Sequence, residues 1–294
     1  MYSKSPLTLL IFISISVLLH NISNAAEHIN PTLTHADSTY LNWVAKADSA
    51  ISLSNWSDAE SYLTLAMKEQ PANPANTLLL SNLAMIQFQQ EKDSLALSTI
   101  NIAYSAAPKS ITVLNNRARI LKSMGLIAEA YNDYEKMLSI DSSLIEPRYM
   151  HGIIALTNND LPTAISDFTT LEQIAPDNEL TLDGMAMLHF YSQDFAKAIP
   201  YYNKLIEINP SIDNYSNKIL CHLFQEELSD ASSTINDAIK LYPFEGDFYL
   251  HRAFLNHLYY RQDDSDSDIK KAIELGVPAE KAKAWKQMIL QHKN

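Results

Sequence analysis

The sequence predicts an all-α solenoid, a stack of helical hairpins, on three observations. A pattern of small and bulky residues recurs about every 34 positions from residue 40 onward. Each recurrence holds two apolar-patterned stretches of about a dozen residues, the length of a short helix. Glycine is scarce, 5 in 294 residues, which leaves little material for the tight turns and phosphate loops of a sheet-rich enzyme.

The repeat is punctuated by Gln70-Pro71, Ala107-Pro108, Ile140-Asp141, Ala175-Pro176, Asn209-Pro210 and Tyr242-Pro243. Proline cannot continue a helix, so it closes a unit. With units starting near Tyr40, Thr77, Ile111, Ile145, Glu179, Ile212 and Gly246, the eighth position reads Ala47, Ala84, Ala118, Gly152, Ala186, Ile219 and Ala253. The twentieth reads Ala59, Ala96, Ala130, Ala164, Ala198, Ala231 and Ser265, and the twenty-fourth Leu63, Ile100, Tyr134, Phe168, Tyr202, Ile235 and Ile269. Two small residues let antiparallel helices approach closely, and the bulky third fills the space beside them.

Three departures mark individual units. Pro74-Ala75-Asn76 reads as an insertion, the sixth unit reads one residue short near Glu226-Glu227, and the seventh carries Ser265, Val277 and a polar loop from Asp263 to Asp268. The repeats end at residue 277. Residues 278–294 then read as one capping helix, with an apolar stripe of Trp285, Met288 and Ile289 backed by Lys281, Lys283, Lys286 and His292.

From about residue 40 to 276 this pattern resembles the tetratricopeptide repeat (TPR) family. Ile111 to Leu144 carries it best, with Ala118, Gly125, Ala130, Tyr134 and Ile140-Asp141 in family positions. Phe195-Ala196-Lys197-Ala198 through Ile208-Asn209-Pro210 follows closely. The resemblance implies a right-handed superhelix of about seven hairpins plus the cap. It also implies a concave face lined by the second, fifth, sixth, ninth and twelfth residues of each first helix. Members that grip a C-terminal carboxylate carry Lys, Arg and Asn there. This chain has Ser81, Met85, Asn116, Glu146 and Met150 at corresponding places, so that cationic clamp is missing.

In that register the groove is lined by Asn82, Met85, Asn115, Asn116 and Arg119, then Tyr149, Met150, Met187 and Phe190, then His251 and Phe254. Phe88, Lys122, Ile153, Tyr191 and Leu220 flank them, of which Ile153 and Leu220 suit internal packing as well. Methionine and aromatic side chains are adaptable, high-area anchors, and asparagine amides bond a peptide backbone through both donor and acceptor. The expected occupant is a peptide or a protein segment. Seventh-position cations (Lys46, Arg117, Lys218, Arg252) are expected to lay their stems along the core.

Composition narrows the chemistry. A net charge of -12 opposes nucleic acid and anionic lipid as partners. The single cysteine, Cys221, excludes an internal disulfide framework and sits in an apolar run that predicts its burial. No glycine-rich phosphate loop, HExxH, GxSxG or Cys-x-x-Cys occurs. Asp264-Ser265-Asp266-Ser267-Asp268 opens like a calcium loop, but Ile269 replaces the turn glycine and Leu275 the bidentate acid. It reads instead as a solvated turn capping the next helix. His189 and His222 share the eleventh position of adjacent units and read as core histidines, not as a shared metal site. No catalytic set assembles, and neither metal nor small-molecule cofactor is implied.

At the N-terminus Lys4 precedes an apolar run from Leu7 to Leu19, and Ser23-Asn24-Ala25 offers small residues for cleavage. The run spans roughly 20 Å as a helix against about 30 Å of bilayer core. Residues 1–25 therefore read as a secretory signal and 26–39 as a short leader, with an uncleaved membrane tether as the alternative. The expected protein is an exported, periplasmic or secreted, non-catalytic scaffold. Its rivals are a self-associating envelope component and, less favoured, a metal-dependent enzyme.

Overall fold

The computed structural model describes residues 35–291, and the expected signal and most of the expected leader lie outside them. Among the described residues there are fifteen α-helices and no strand. They pair as hairpins: α1 His35–Ser52 with α2 Trp56–Glu69, α3 Asn76–Gln89 with α4 Asp93–Ala106, and α5 Ile111–Ser123 with α6 Ile127–Ile140. There follow α7 Ile145–Thr157 with α8 Leu161–Ile174, α9 Glu179–Tyr191 with α10 Phe195–Ile208, α11 Ile212–Phe224 with α12 Leu228–Leu241, and α13 Gly246–Leu258 with α14 Gln262–Glu274. A last helix, α15 Ala279–Gln291, packs on α13 and α14. The architecture is that of an α-solenoid.

Contacts divide the chain into two compact units, Met1–Pro147 and Arg148–Asn294. Within the first, the two helices of each hairpin pack on each other, α2 packs on α3 and α4 on α5, and the first helices α3 and α5 touch directly. Within the second the same holds from α9 to α14, and α11 touches α13.

The small-and-bulky register is the core of both units. The twentieth-position alanines and the eighth-position residues Ala47, Ala84, Ala118, Ala186, Ile219 and Ala253 are wholly enclosed. Leu63, Ile100, Tyr134, Phe168, Tyr202 and Ile235 fill the spaces beside them, while Ile269 in the last hairpin is only half-buried.

Every hairpin turns in the same way, through three residues whose middle member has a left-handed backbone. These are Ser54, Glu91, Asn159, Gln193, Glu226 and Tyr260, with φ between 56° and 61°, and Gly125 at 77°. The left-handed residue ends the first helix and swings the chain back antiparallel. Side chains fix helix starts as well: Asn55 and Asp160 after these turns, and Ser110, Asn178 and Ser211 between hairpins, each accept a backbone N–H from the first turn.

Four details differ from the sequence expectation. First, α1 begins at His35, so residues 35–39 of the expected leader are helical. Asp37 in the first turn complements the helix dipole and accepts from Gln70 Nε2 at 2.9 Å. Second, the short connection is Asn209–Ser211, three residues where its counterpart Ala107–Ser110 has four, and the Glu226-Glu227 turn is of normal length. Third, Asp263 to Asp268 is not a loop but the first turns of α14. Ser265 is buried there and donates to the Ala253 carbonyl at 2.8 Å, while buried Asp268 pairs with Arg252. Fourth, the connection from α2 to α3 is lengthened as expected, but Asn76 belongs to α3 and accepts from Tyr40 Oη at 3.2 Å.

Candidate partner-binding surfaces

In the first unit, α3 and α5 bring fifth and sixth positions together, and Asn116 Nδ2 donates to Ser81 Oγ at 2.9 Å. That link is internal, and Asn82 and Asn116 are buried with it. Met85 has no exposed surface at all and packs with Ile100 and Val113. The expectation that Met85 anchors a ligand is therefore corrected: its side chain fills the seam between hairpins. Asn115 and Arg119 remain half-buried beside exposed Lys122. The enclosed amide oxygens of Asn82 and Asn115 have no hydrogen-bond partner among the described residues. Burial lowers the pKa of both Arg119 and Lys122; Arg119 adds to the effect on Lys122, and Glu146 opposes both.

In the second unit, Tyr149 on α7 donates to Asp183 Oδ2 on α9 at 2.5 Å. Burial raises the Asp183 carboxyl above the usual range; Tyr149 opposes the shift, and the acids Glu179 and Asp213 reinforce it. Met150, Met187 and Phe190 stay half-buried on the same first-helix positions. His251 and Phe254 do not. Helix α15 lies on this hairpin, Trp285 Nε1 donates to the Leu250 carbonyl at 2.9 Å, and both groove candidates are covered. His251 meets the Trp285 ring edge-on at 5.3 Å, and desolvation pushes its imidazole down to about 4. Five of the eleven expected lining residues are thus core, and Asn115, Arg119, Tyr149, Met150, Met187 and Phe190 keep surface.

Phe190 leads to a feature that the register did not single out. With Tyr191, Gln193, Phe195 and Phe224 it lines an open cleft of about 520 Å³ where α9, α10 and α11 meet. Its rings are in contact: Phe190 to Phe195 at 5.6 Å and Phe195 to Phe224 at 5.3 Å between centroids. Tyr191 is 55% exposed. Phe195 and Phe224 were legible as apolar residues, but their meeting depends on two hairpin turns lying side by side.

A second omission lies between the helices of single hairpins. Arg117 pairs with Asp133, Arg148 and His151 with Asp167, and Arg252 with Asp268. The aspartates occupy the twenty-third position and are buried. Aspartate recurring there, with Arg or His at the fourth or seventh position of the same unit, was the available signal.

For metals, the described residues hold one grouping of three donors, His222, Glu227 and Asp230, whose ligand atoms lie within 4.8 Å of one another. His222 Nδ1 is 2.7 Å from Glu227 Oε2. His189 instead stacks on Tyr201 at 5.8 Å between ring centroids and is only half-buried, whereas His222 is buried as expected of a core histidine. Cys221 is buried, and desolvation pushes its thiol up to about 12.

A tetratricopeptide repeat family model matches residues 111–144 and 182–212. The heat shock protein STI1 of Saccharomyces cerevisiae is 32% identical over 97 residues, which are 32% of this chain and 16% of that protein. The chain thus spans under a fifth of that relative's length. Among solved structures, a tetratricopeptide repeat protein from Parabacteroides merdae superposes with a TM-score of 0.66 at 25% identity, covering 86% of this chain and 99% of that one. YrrB, a TPR protein with an unusual peptide-binding site, has a TM-score of 0.51 at 17% identity over 64% of this chain and 97% of that one. These likenesses support a TPR protein, a fold suited to binding other proteins.

Proposed function

We propose that the chain is an exported, non-catalytic scaffold that docks a peptide or protein segment on the first-helix face of its hairpins. One observation carries the reading: Tyr149, Met150, Met187 and Phe190, from first helices of two successive hairpins, keep apolar surface in water after the core has formed. Methionine and aromatic side chains left partly in water on a repeat's first helices are the kind of anchor that partner sites use. The peptide-binding site of YrrB supports it by analogy of fold. Export rests on Lys4, the apolar run Leu7–Leu19 and Ser23-Asn24-Ala25. A non-catalytic role fits a thiol that burial keeps protonated.

The test is capture from an envelope extract of the native host. The parent protein is compared with a Tyr149→Ala, Met187→Ala variant of unchanged helicity. A protein retained by the parent and lost by the variant supports docking on this face. Equal capture by both moves the site elsewhere, and no capture by either, with a concentration-dependent mass in sedimentation, favours self-association.

A further inference from the structure

We infer that the cleft formed by Phe190, Tyr191, Phe195 and Phe224 receives a basic, amphipathic segment of the partner, with an apolar side chain on the aromatic floor and a Lys or Arg against the neighbouring carboxylates. The inference rests on the docking reading above and names the chemistry of what docks.

Two observations meet at one turn. Phe224 closes the cleft, and the turn that follows it carries Glu226 and Glu227, with Asp230 in the next helical turn, all three exposed. Carboxylate oxygens of Glu227 and Asp230 lie within 4.8 Å of each other and of a ring nitrogen of His222, which bonds Glu227 alone. Like charges held that close repel, and a cation brought between them relieves the repulsion. On the other side of the cleft Asp194 is held by Lys197 at 2.6 Å, and on the Phe224 side Glu227 is held by His222 Nδ1 at 2.7 Å, which leaves Glu226 and Asp230 as the acids there with no ion pair among the described residues. An aromatic floor adds to the same preference, since a cation over a ring face is attracted by its quadrupole. The chain carries a net charge of -12, which steers basic partners toward it and acidic ones away. An apolar cleft whose last lining residue leads straight into an acidic turn therefore suits a helix with Leu or Phe on one face and Lys or Arg next to it.

The experiment uses the mature chain and three synthetic peptides of about eighteen residues, long enough for five helical turns. One alternates Leu and Lys in a helical amphipathic pattern, one places Glu for Lys, and one places Ser for Leu. The Leu/Lys peptide is expected to bind at least tenfold more tightly than either of the others by calorimetry. A Tyr191→Ser, Glu226→Lys variant is expected to lose that preference at least tenfold. Glu69→Lys, which reverses one exposed carboxylate in the first unit, is expected to lose less than twofold and so reports general charge attraction. Equal binding of the Leu/Lys and Leu/Glu peptides, or equal loss from Glu69→Lys, overturns the inference. Zn²⁺ is titrated alone in parallel: uptake abolished by His222→Gln would assign the carboxylates to a metal and also overturn it. Host capture separates the two readings. A partner lost by the Tyr149→Ala, Met187→Ala variant but kept by Tyr191→Ser, Glu226→Lys leaves docking standing and removes the cleft.

Discussion

Arg117 on α5 grips Asp133 on α6 through two hydrogen bonds, from Nε at 2.7 Å and from Nη2 at 2.5 Å, and its guanidinium also lies over the Tyr104 ring. Asp133 has no exposed surface. Arg117→Ala leaves that carboxylate buried and stripped of its bidentate partner, with only Lys136 at 3.8 Å, so a loss of about 3–5 kcal/mol is expected. Replacing the pair together, Arg117→Met with Asp133→Leu, removes the buried charge and is expected to recover most of the loss. Urea denaturation of the two variants beside the parent checks this. If Arg117→Ala costs under about 1 kcal/mol, comparable to an exposed pair, the pair is ornamental.

The left-handed turn residues give a second prediction. Gln193 and Tyr260 hold φ near 60° with a side chain attached, where glycine would sit without strain. Gln193→Gly and Tyr260→Gly are each expected to stabilise by about 0.5–1 kcal/mol, the strain relieved outweighing the freedom gained by the unfolded chain. Gly125→Ala should do the opposite by about 1 kcal/mol. Its added Cβ meets nothing within 4 Å, so the cost is backbone strain alone. Thermal midpoints of the three variants decide the sign.

Those turns also show where the sequence was legible. The positions of Ala118, Ala130 and Tyr134 carried the core directly, because helix-on-helix contact demands small against large at fixed spacing. Tyr149, Met187 and Phe190, which the family register set in the groove, are half-buried. The register failed for Met85, His251 and Phe254, since exposure at these positions depends on what the next hairpin or the cap lays over them. Trp285 covering Leu250 and His251 is a contact across 35 residues, which no single repeat encodes. The Phe195–Phe224 contact was hidden for the same reason. Asp133, by contrast, was visible: an acid just before a bulky core position in three units has no reason to be there unless a cation faces it.

Acid should weaken the last hairpin through His251. Its folded pKa, about 4, lies below the ordinary 6.5 because desolvation disfavours the imidazolium; Asp247 opposes this and Lys281 adds to it. Between those values the unfolded chain binds the proton and the folded chain does not, so unfolding gains free energy as pH falls. Stability is full above about pH 6.5, declines toward pH 4 and levels below it, by roughly 3 kcal/mol in all. Asp183 acts in the opposite sense, since its raised pKa contributes stability at low pH that is lost as pH rises. His251→Gln isolates the histidine. Its melting temperature is expected to vary less between pH 6.5 and 4 than the parent's, and an unchanged slope would remove His251 as the cause.

Phe168 on α8 decides what two neighbouring positions can hold. A Cβ built at Gly184 on α9 would lie 2.5 Å from its ring, and one at Gly152 on α7 would lie 2.8 Å from it. Glycine to alanine in an open helix stabilises by about 1 kcal/mol. Here both substitutions force a wholly buried ring to move, and each is expected to destabilise by about 1–3 kcal/mol. The need for Gly152 was half visible, since its eighth position is small in most units. The need for Gly184 was not, because the ring it accommodates belongs to the preceding hairpin. Phe168→Leu removes ring atoms facing both glycines, so in that background Gly184→Ala should lose most of its cost. A double-mutant cycle on thermal or urea stability reads this as a coupling of about 1 kcal/mol or more. Additive effects would mean that the backbone, not the Phe168 ring, sets the limit on these helices' approach.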